Sequence, residues 1–373
     1  MRKIITFVIY DGVTNSVFSS QVLQPLLNLL KENNNLEITL VSFEKEKPST
    51  KTLINLIPAH EKLHFVLCRK LPFFGTLSLR FATYQLKKLL KIMPTDQIIA
   101  RGPLAGWITI KAIKKLKNNP SPIWVTKFWR SRWLRIINKP TLQIQARGLC
   151  AQEYRFAHQY LKENFAKKLL RKFIFNELNK IELKTYKAST LQNSTIESVS
   201  SALKQYLVTN FGANPSKIKI ATKDIPQKIT RKEKEILRKK IRNKLGISQD
   251  SNVYCYSGSS KPWQCLPTTL DYFLSEYKKN PKSFLLILSL DKKNIEKLIE
   301  AKKIPPKNYA LLAVSPEELS AYLAASDIGF LFRDKDIINW VSRPTKMLEY
   351  QAAGLKVIHN NTVAWLESEN KNL

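Results

Sequence analysis

Acidic residues are scarce in this chain: 29 Asp and Glu stand against 62 Lys and Arg, a formal net charge of +33. Such an excess draws a protein toward anionic partners, but its sign does not choose among nucleic acid, lipid headgroups and nucleotide diphosphates. The basic residues are spread along the whole chain, and it has no zinc-finger, RNA-recognition or basic-zipper pattern, so nucleic acid is not the expected partner. Cysteine is sparse too. Cys68, Cys150, Cys255 and Cys265 lack the short paired spacing of a zinc site and lie in apolar or strand-like surroundings, which implies buried reduced thiols and a cytoplasmic location. Long apolar runs are also missing: residues 284–288 stop far short of the roughly 20 that span a bilayer. Residues 4–10 run at once into Asp11-Gly12 with no small-residue cleavage site, so they read as a first strand and not as the core of a signal peptide.

At 373 residues, 44% hydrophobic and 24% charged, the chain is globular in make-up and larger than one core, so two domains are expected. Runs at 3–10, 36–43, 63–68 and 97–100, and the strand-like 142–146, read as buried strands, with helices at 17–31, 77–91 and 104–117 between them. Residues 152–187 read as one helix. A strand at 195–199, a helix capped at Ser200-Ser201 and a strand at 217–221 complete a first domain, 1–222. The charged, proline-bearing stretch 223–234 reads as a linker. The second domain, 235–373, alternates in the same sense: a lysine-rich helix ending at Leu245, strands at 252–256 and 284–289, helices at 263–279 and 295–302, and a helix capped at Ser315. The alternation implies parallel sheets with a ligand site beyond the carboxyl ends of the strands. Arg101, at one such end, faces that site or is a plain surface charge.

The most informative stretch is 326–358. Two apolar strands, 327–332 and 355–358, flank a helix that Pro344 opens and Gly354 ends. A helix start presents unsatisfied N–H groups and the positive end of the dipole to a phosphate. Lys346 adds a charge in the first turn, and Glu349, one turn on, is placed to accept from a ribose hydroxyl pair. Taken alone, the two residues could equally be an exposed i,i+3 pair worth about a few tenths of a kcal/mol.

Ser326-Asp327-Ile328-Gly329, Pro344-Thr345-Lys346, Glu349-Tyr350 and Ala353-Gly354-Leu355 together resemble the donor-binding half of retaining glycosyltransferases of family 4. The resemblance implies an α/β chain of the GT-B fold, two Rossmann-like domains with parallel sheets facing across a cleft. It also implies transfer of a sugar, with retention, from a nucleotide sugar to a hydroxyl of a glycan or lipid-linked acceptor. It assigns Pro344, Thr345 and Lys346 to the diphosphate and Glu349 to the ribose. The second glutamate that the family often carries eight positions earlier is Val341 here. Gly12 matches a glycine that lets the first loop approach donor or acceptor, although it reads equally as a turn residue. The loop after the 252–256 strand faces the diphosphate in relatives, which assigns Gly258 and Ser259 as backbone donors and Lys261 as a clamp. Pro262-Trp263-Gln264 stands where the family pattern has further basic residues and glycine. Arg333 matches a basic residue that reaches the diphosphate.

On the acceptor side, Arg147-Gly148 followed by Glu153-Tyr154 resembles a cleft-facing loop of a bacterial subgroup of the family, which gives Arg147 and Glu153 acceptor roles. An Arg147 to Glu153 ion pair closing the helix start is the alternative. The resemblance implies no cofactor and no metal: the helix dipole and Lys346, with Lys261 or Arg333, take the place of a cation at the leaving diphosphate. Asp334-Lys335-Asp336 has the spacing of a metal-binding pair in the other common glycosyltransferase fold. Its late position and the lysine between the carboxylates make it a polar lip over the donor instead. Relatives usually continue into helices after the last strand, whereas only 362–373 follow here, which implies a shortened end or another way of closing the domains.

Two rival readings stand beside the enzyme: a catalytically silent nucleotide-sugar binder, and a basic membrane- or polyanion-binding protein on the same scaffold. For the last, residues 123–137 interleave three tryptophans with Lys127, Arg130, Arg132 and Arg135. The segment from Phe128 to Arg135 suits an anionic membrane surface, with peripheral attachment at its inner face. A strand and a partly buried connection with snorkelling arginines accounts for it equally well.

Overall fold

The computed structural model describes residues 2–15, 18–117, 140–159, 161, 164–188, 193–222 and 226–364. The segment from Phe128 to Arg135 lies outside the described residues, as do Val17, residues 223–225 of the expected linker and everything after 364. The chain forms two compact units, Met1–Lys223 and Asp224–Leu373.

Unit 1 holds a sheet of seven strands: β1 (Lys3–Ile9), β2 (Leu36–Glu44), β3 (Leu63–Arg69), β4 (Gln97–Arg101), β5 (Thr141–Ala146), β6 (Ser194–Ser198) and β7 (Ile218–Ile220). Every pairing is parallel and the order is β3-β2-β1-β4-β5-β6-β7. The helices between them are α1 (Gln24–Glu32), α2 (Thr50–Leu56), α3 (Gly75–Ile92), α4 (Gly102–Lys117), α5 (Cys150–His158), α6 (Phe165–Lys187) and α7 (Ser201–Phe211). Parallel strands need such crossovers, and being covered on both faces they read as nearly continuous apolar runs. Alternate residues of β1, Ile5, Phe7 and Ile9, pack with Val22, Leu26 and Leu30 in one core cluster.

Unit 2 repeats the plan with α8 (Arg231–Leu245), β8 (Val253–Ser257), α9 (Leu266–Lys279), β9 (Phe284–Leu288), α10 (Lys292–Ala301), β10 (Tyr309–Leu312), α11 (Pro316–Ala324), β11 (Ile328–Leu331), α12 (Ile337–Trp340), α13 (Thr345–Ala352) and β12 (Lys356–His359). Its parallel sheet has the order β10-β9-β8-β11-β12. The two-residue period of the strands sorts its core. Val253, Cys255, Leu286 and Leu288 pack with Ile241, Leu323 and Tyr350 on one face, while Tyr254, Tyr256, Leu285 and Ile287 pack with Leu270, Phe273 and Ile295 on the other. Each fully buried Leu, Ile or Phe contributes roughly 1.5–3 kcal/mol.

In both sheets the strand order reverses beside the first strand, between β1 and β4 in unit 1 and between β8 and β11 in unit 2. Ligands of open parallel sheets bind beyond the carboxyl ends at such points. The reversal in unit 2 is fixed by a buried polar hub. Arg242 of α8 is fully buried; its guanidinium donates to the carbonyls of Ser248, Gln249, Ser251 and Ala325, each at 3.0 Å, and to Asp327 at 2.8 Å. Asp327 also accepts from Arg238 at 2.6 Å and from the Val253 N–H at 2.8 Å, so one carboxylate joins α8, the start of β8 and the approach to β11.

Several expectations change. Residues 152–187 are not one helix: α5 ends at His158, and a new helix begins where the Asn164 side chain accepts from the Lys167 N–H at 3.0 Å, an N-cap that an uninterrupted helix could not form. The helix expected from Val17 opens instead with a π-helical turn at Ser19–Leu23. Arg231 to Lys234, read as linker, are the first turn of α8, capped by Thr230. Strand β10, not expected, is an edge strand whose residues are all half-buried, so it lacks the apolar density of its neighbours. Of the four thiols Cys68 and Cys255 are buried, whereas Cys150 and Cys265 are partly accessible.

Candidate functional site

At the reversal in unit 2, α13 follows β11 and its first turn lies against the end of β8. Tyr350 docks it there. The Tyr350 hydroxyl accepts from the Ser257 N–H at 2.9 Å, and its ring crosses Gly329 so closely that an added Cβ would come within 2.5 Å of it. This places Lys346 inside the fold, 7% exposed, with Nζ 4.4 Å from the centre of the Tyr256 ring. A Cβ on Gly258 would sit 3.1 Å from that Nζ, and the Gly258 φ of +148° disfavours a side chain in any case. Glycine at 258 therefore makes room for the ammonium group.

Among the described residues Lys346 Nζ has no hydrogen-bond partner, and neither has the buried Nε of Arg333. Burial, and then the charge of Arg333, pushes the Lys346 pKa well below the usual lysine range; Cys255, Glu349 and Cys265 oppose the shift. Arg333 is likewise lowered, by burial first. Its backbone is held from β12's far end: Asn360 accepts from the Arg333 N–H at 3.2 Å and donates to its carbonyl at 2.7 Å. A buried, unneutralised cation is costly. Two cations that influence each other at a helix start, beyond the carboxyl ends of β8 and β11, are built to meet an anion.

Around them, Glu349 is half-buried, with its pKa raised by burial against the pull of Lys346. The exposed i,i+3 pair is thereby overturned, since Lys346 is buried. Pro344 is the residue that caps α13, and Thr345 is its first residue. The Gly258 N–H, expected to face a phosphate, donates instead to the Leu288 carbonyl at 3.0 Å, and the Ser259 carbonyl accepts from Tyr256 at 2.6 Å. Lys261 is exposed, its ammonium 5.1 Å from the Trp263 ring centre. Both aspartates of the 334–336 stretch have structural contacts: Asp336 caps α12 through the Ile338 N–H at 3.0 Å, and Asp334 accepts from the Cys265 thiol at 3.3 Å. Val341 is buried. Sequence reasoning missed Gln264, whose Oε1 is buried with no partner among the described residues and would lie 3.6 Å from a Cβ added at Gly258.

In unit 1 the equivalent point is a small pocket lined by Asp11, Gly12, Asn15 and Arg101 together with Ile9, Phe18 and Val22. Arg101 is buried rather than a surface charge, and its guanidinium donates to the Gln21 side chain at 2.5 Å. Gly12 has φ +84°, and its missing Cβ leaves space for Glu44, which accepts from the Val13 N–H at 2.9 Å and from Ser42. The glycine serves that internal carboxylate. Arg147 pairs with Glu197 at 3.3 Å. The Glu153 residue is exposed, but its carboxylate folds over Gly148; shielding there, then the charge of Asp11, raises its pKa.

A further carboxylate went unread. Glu182 of α6 is fully buried and accepts from the N–H groups of Cys150 at 2.7 Å and Ala151 at 3.2 Å, so it caps α5. Burial raises its pKa to about 7 against those hydrogen bonds. Below that value the folded protein holds a proton that the unfolded chain, with an ordinary glutamate, has lost. Stability from this group is therefore greatest in acid and declines as pH rises through the interval up to about 7, by about 3 kcal/mol. Glu182→Gln is expected to flatten this slope in urea unfolding followed across that interval; an unaltered slope would assign the pH dependence to other groups.

Two Rossmann-like units with this site define a class by fold: the chain is a two-domain α/β protein of the GT-B fold. Solved structures similar to almost the whole chain include WaaG, described as a glycosyltransferase involved in lipopolysaccharide biosynthesis, at 12% identity and TM-score 0.61, covering 98% of this chain and 84% of that one. Sucrose-phosphate synthase from Thermosynechococcus elongatus matches at 12% identity and TM-score 0.63, with 97% and 82% covered. A glycosyltransferase from Rickettsia africae ESF-5 matches at 15% identity and TM-score 0.60, with 100% and 82% covered. No protein-family model matches the chain, and no curated protein matches it by sequence.

Proposed function

We propose that the chain is a glycosyltransferase that moves a sugar from a nucleotide sugar to a hydroxyl of a glycan or lipid-linked acceptor, with retention and without a metal. The observation that carries the reading is the buried Lys346 ammonium in the first turn of α13 together with the buried Nε of Arg333, neither with a hydrogen-bond partner among the described residues. A diphosphate supplies adjacent negative charges to both. As the bond to the sugar breaks, charge builds on the leaving phosphate, and the preformed cations and helix dipole stabilise it without having to reorganise. In this reading Glu349 accepts from the ribose hydroxyls, Thr345 and Lys261 border the diphosphate, and Arg147 and Glu153 bind the acceptor. The departing phosphate takes the acceptor proton, which keeps both events on one face of the sugar.

The resemblance described from the sequence supports retention and the ribose role, and the fold of the solved relatives supports nucleotide-sugar chemistry in general. A silent binder is favoured by one observation, the buried Val341 where relatives often carry a glutamate; it predicts donor binding with no turnover. Glu349→Ala tests the site. It is expected to weaken donor binding about ten-fold or more in calorimetric titration, the loss of a hydrogen bond to a charged group, with the melting temperature of the donor-free protein close to the parent's. Unchanged affinity would remove Glu349 from the site.

A further inference from the structure

The geometry points to a second working surface on unit 1: the outward face shared by α3 and the first half of α6 docks on a bilayer that carries anionic headgroups. Apolar side chains of that size are normally turned inward, yet Phe165 is 82% exposed, Leu169 59%, Leu77 57% and Phe74 56%. On α3 the outward positions are Leu77, Arg80, Phe81, Tyr84 and Lys88, spaced at three and four residues, so rings and cations alternate along one stripe. On α6, Phe165, Leu169 and Phe173 form a second stripe, flanked by Lys168 and Lys172. The stripes join where the Phe74 and Phe173 rings meet at 5.3 Å, and the two helices are tied there by Glu177 accepting from the Thr76 N–H at 3.0 Å. The surface is thus continuous and internally braced.

Its charge selects the occupant. α3 contains no acidic residue, and α6 has none before Glu177, which is turned toward α3. A second copy of the chain would bring the same positive face against itself, so self-association is disfavoured. Nucleic acid would use the cations and rings but leaves exposed leucines with nothing to pack on. A bilayer interface uses all three: leucine and phenylalanine enter the boundary of the acyl chains, tyrosine lies at headgroup level, and lysine and arginine extend to lipid phosphates. Among the described residues no helix is long and apolar enough to cross a membrane, so this is attachment in the plane of the surface.

The test is sedimentation of the full chain with vesicles of phosphatidylcholine alone and of phosphatidylcholine mixed with phosphatidylglycerol. The parent is expected to bind the mixed vesicles and to bind the neutral ones far less. A charge variant, Arg80→Glu, Lys88→Glu, Lys168→Glu and Lys172→Glu, alters only exposed side chains and is expected to lower partitioning about ten-fold or more. An apolar variant, Leu77→Ser, Phe81→Ser, Phe165→Ser and Leu169→Ser, should do the same, with circular dichroism confirming that each variant is folded. Parent protein that stays in the supernatant, or folded variants that bind mixed vesicles as the parent does, would overturn the inference. So would a parent dimer in sedimentation velocity that the apolar variant abolishes while vesicle binding persists.

Discussion

Lys346→Ala is expected to lower donor turnover about ten-fold to more than a hundred-fold, because a charge-assisted contact to the leaving diphosphate contributes roughly 1.5 to 3 kcal/mol. The same position carries an opposite expectation for the donor-free protein. There the ammonium is buried with no hydrogen-bond partner among the described residues, and its pKa is pushed down by burial. Between its lowered value in the fold and the ordinary lysine pKa, the unfolded chain therefore binds more protons at this position than the folded chain. The cost of burial is largest in acid and fades as pH rises toward the ordinary lysine value. Lys346→Met, which keeps the volume and removes the charge, is expected to stabilise the donor-free fold in acid and to abolish that part of the pH slope. Loss of turnover together with gain of donor-free stability is the signature of a residue held for a ligand. A residue that only packs the core would lose on both counts. Turnover assays, and urea unfolding followed from acid up to the ordinary lysine pKa, measure the two effects.

The second large effect belongs to Arg242. Arg242→Ala is expected to destabilise unit 2 by about 3–5 kcal/mol, since it leaves Asp327 half-neutralised and strips four carbonyls of their donor. Arg242→Lys should recover little, because an ammonium cannot reproduce a planar fork that serves five acceptors. Urea unfolding read by circular dichroism measures it. A loss below about 1 kcal/mol, the size of an exposed ion pair, would mean that the hub is not what fixes the approach of β8 to β11.

Much of the fold could be read from the chain because parallel strands buried on both faces are written as apolar runs, and β1, β2, β8, β9 and β11 all have them. Where the rule weakens, the reading fails: β10 is half-buried throughout, and its residues 309–312 carry little contrast with their surroundings. The false single helix over 152–187 arose because apolar periodicity continues on both sides of the break. The one local signal was Asn164, and a lone asparagine has no direction until its side chain is seen to accept from Lys167.

For the candidate site, Lys346 was legible because proline and lysine at a helix start have a physical meaning by themselves. Its burial was not, because the space it occupies depends on Gly258 and Gly329, which lie far from it in sequence and admit the ammonium and the Tyr350 ring. The contact that Gly12 makes room for was hidden for the same reason: Glu44 sits at the end of the next strand. Arg242 was hidden in a run of lysines and arginines where composition alone makes every cation look exposed. Glu182 was hidden in the same way, as one carboxylate in a basic helix that happens to face the start of another.

The central claim is that a nucleotide sugar binds at the start of α13. Its most direct test is a thermal-shift panel of uridine, guanosine and adenosine diphosphate sugars against the parent, Lys346→Ala and Lys239→Ala, at low and at roughly physiological ionic strength, where exposed charges about 8 Å apart are already screened. Lys239 is on α8, exposed and outside the proposed site. The expected result is stabilisation of the parent by one class of donor, by mass action, preserved in Lys239→Ala, lost in Lys346→Ala and little altered by salt. Equal small losses in both variants, with binding that falls steeply as salt rises, would be the behaviour of a polyanion binder and would contradict the account.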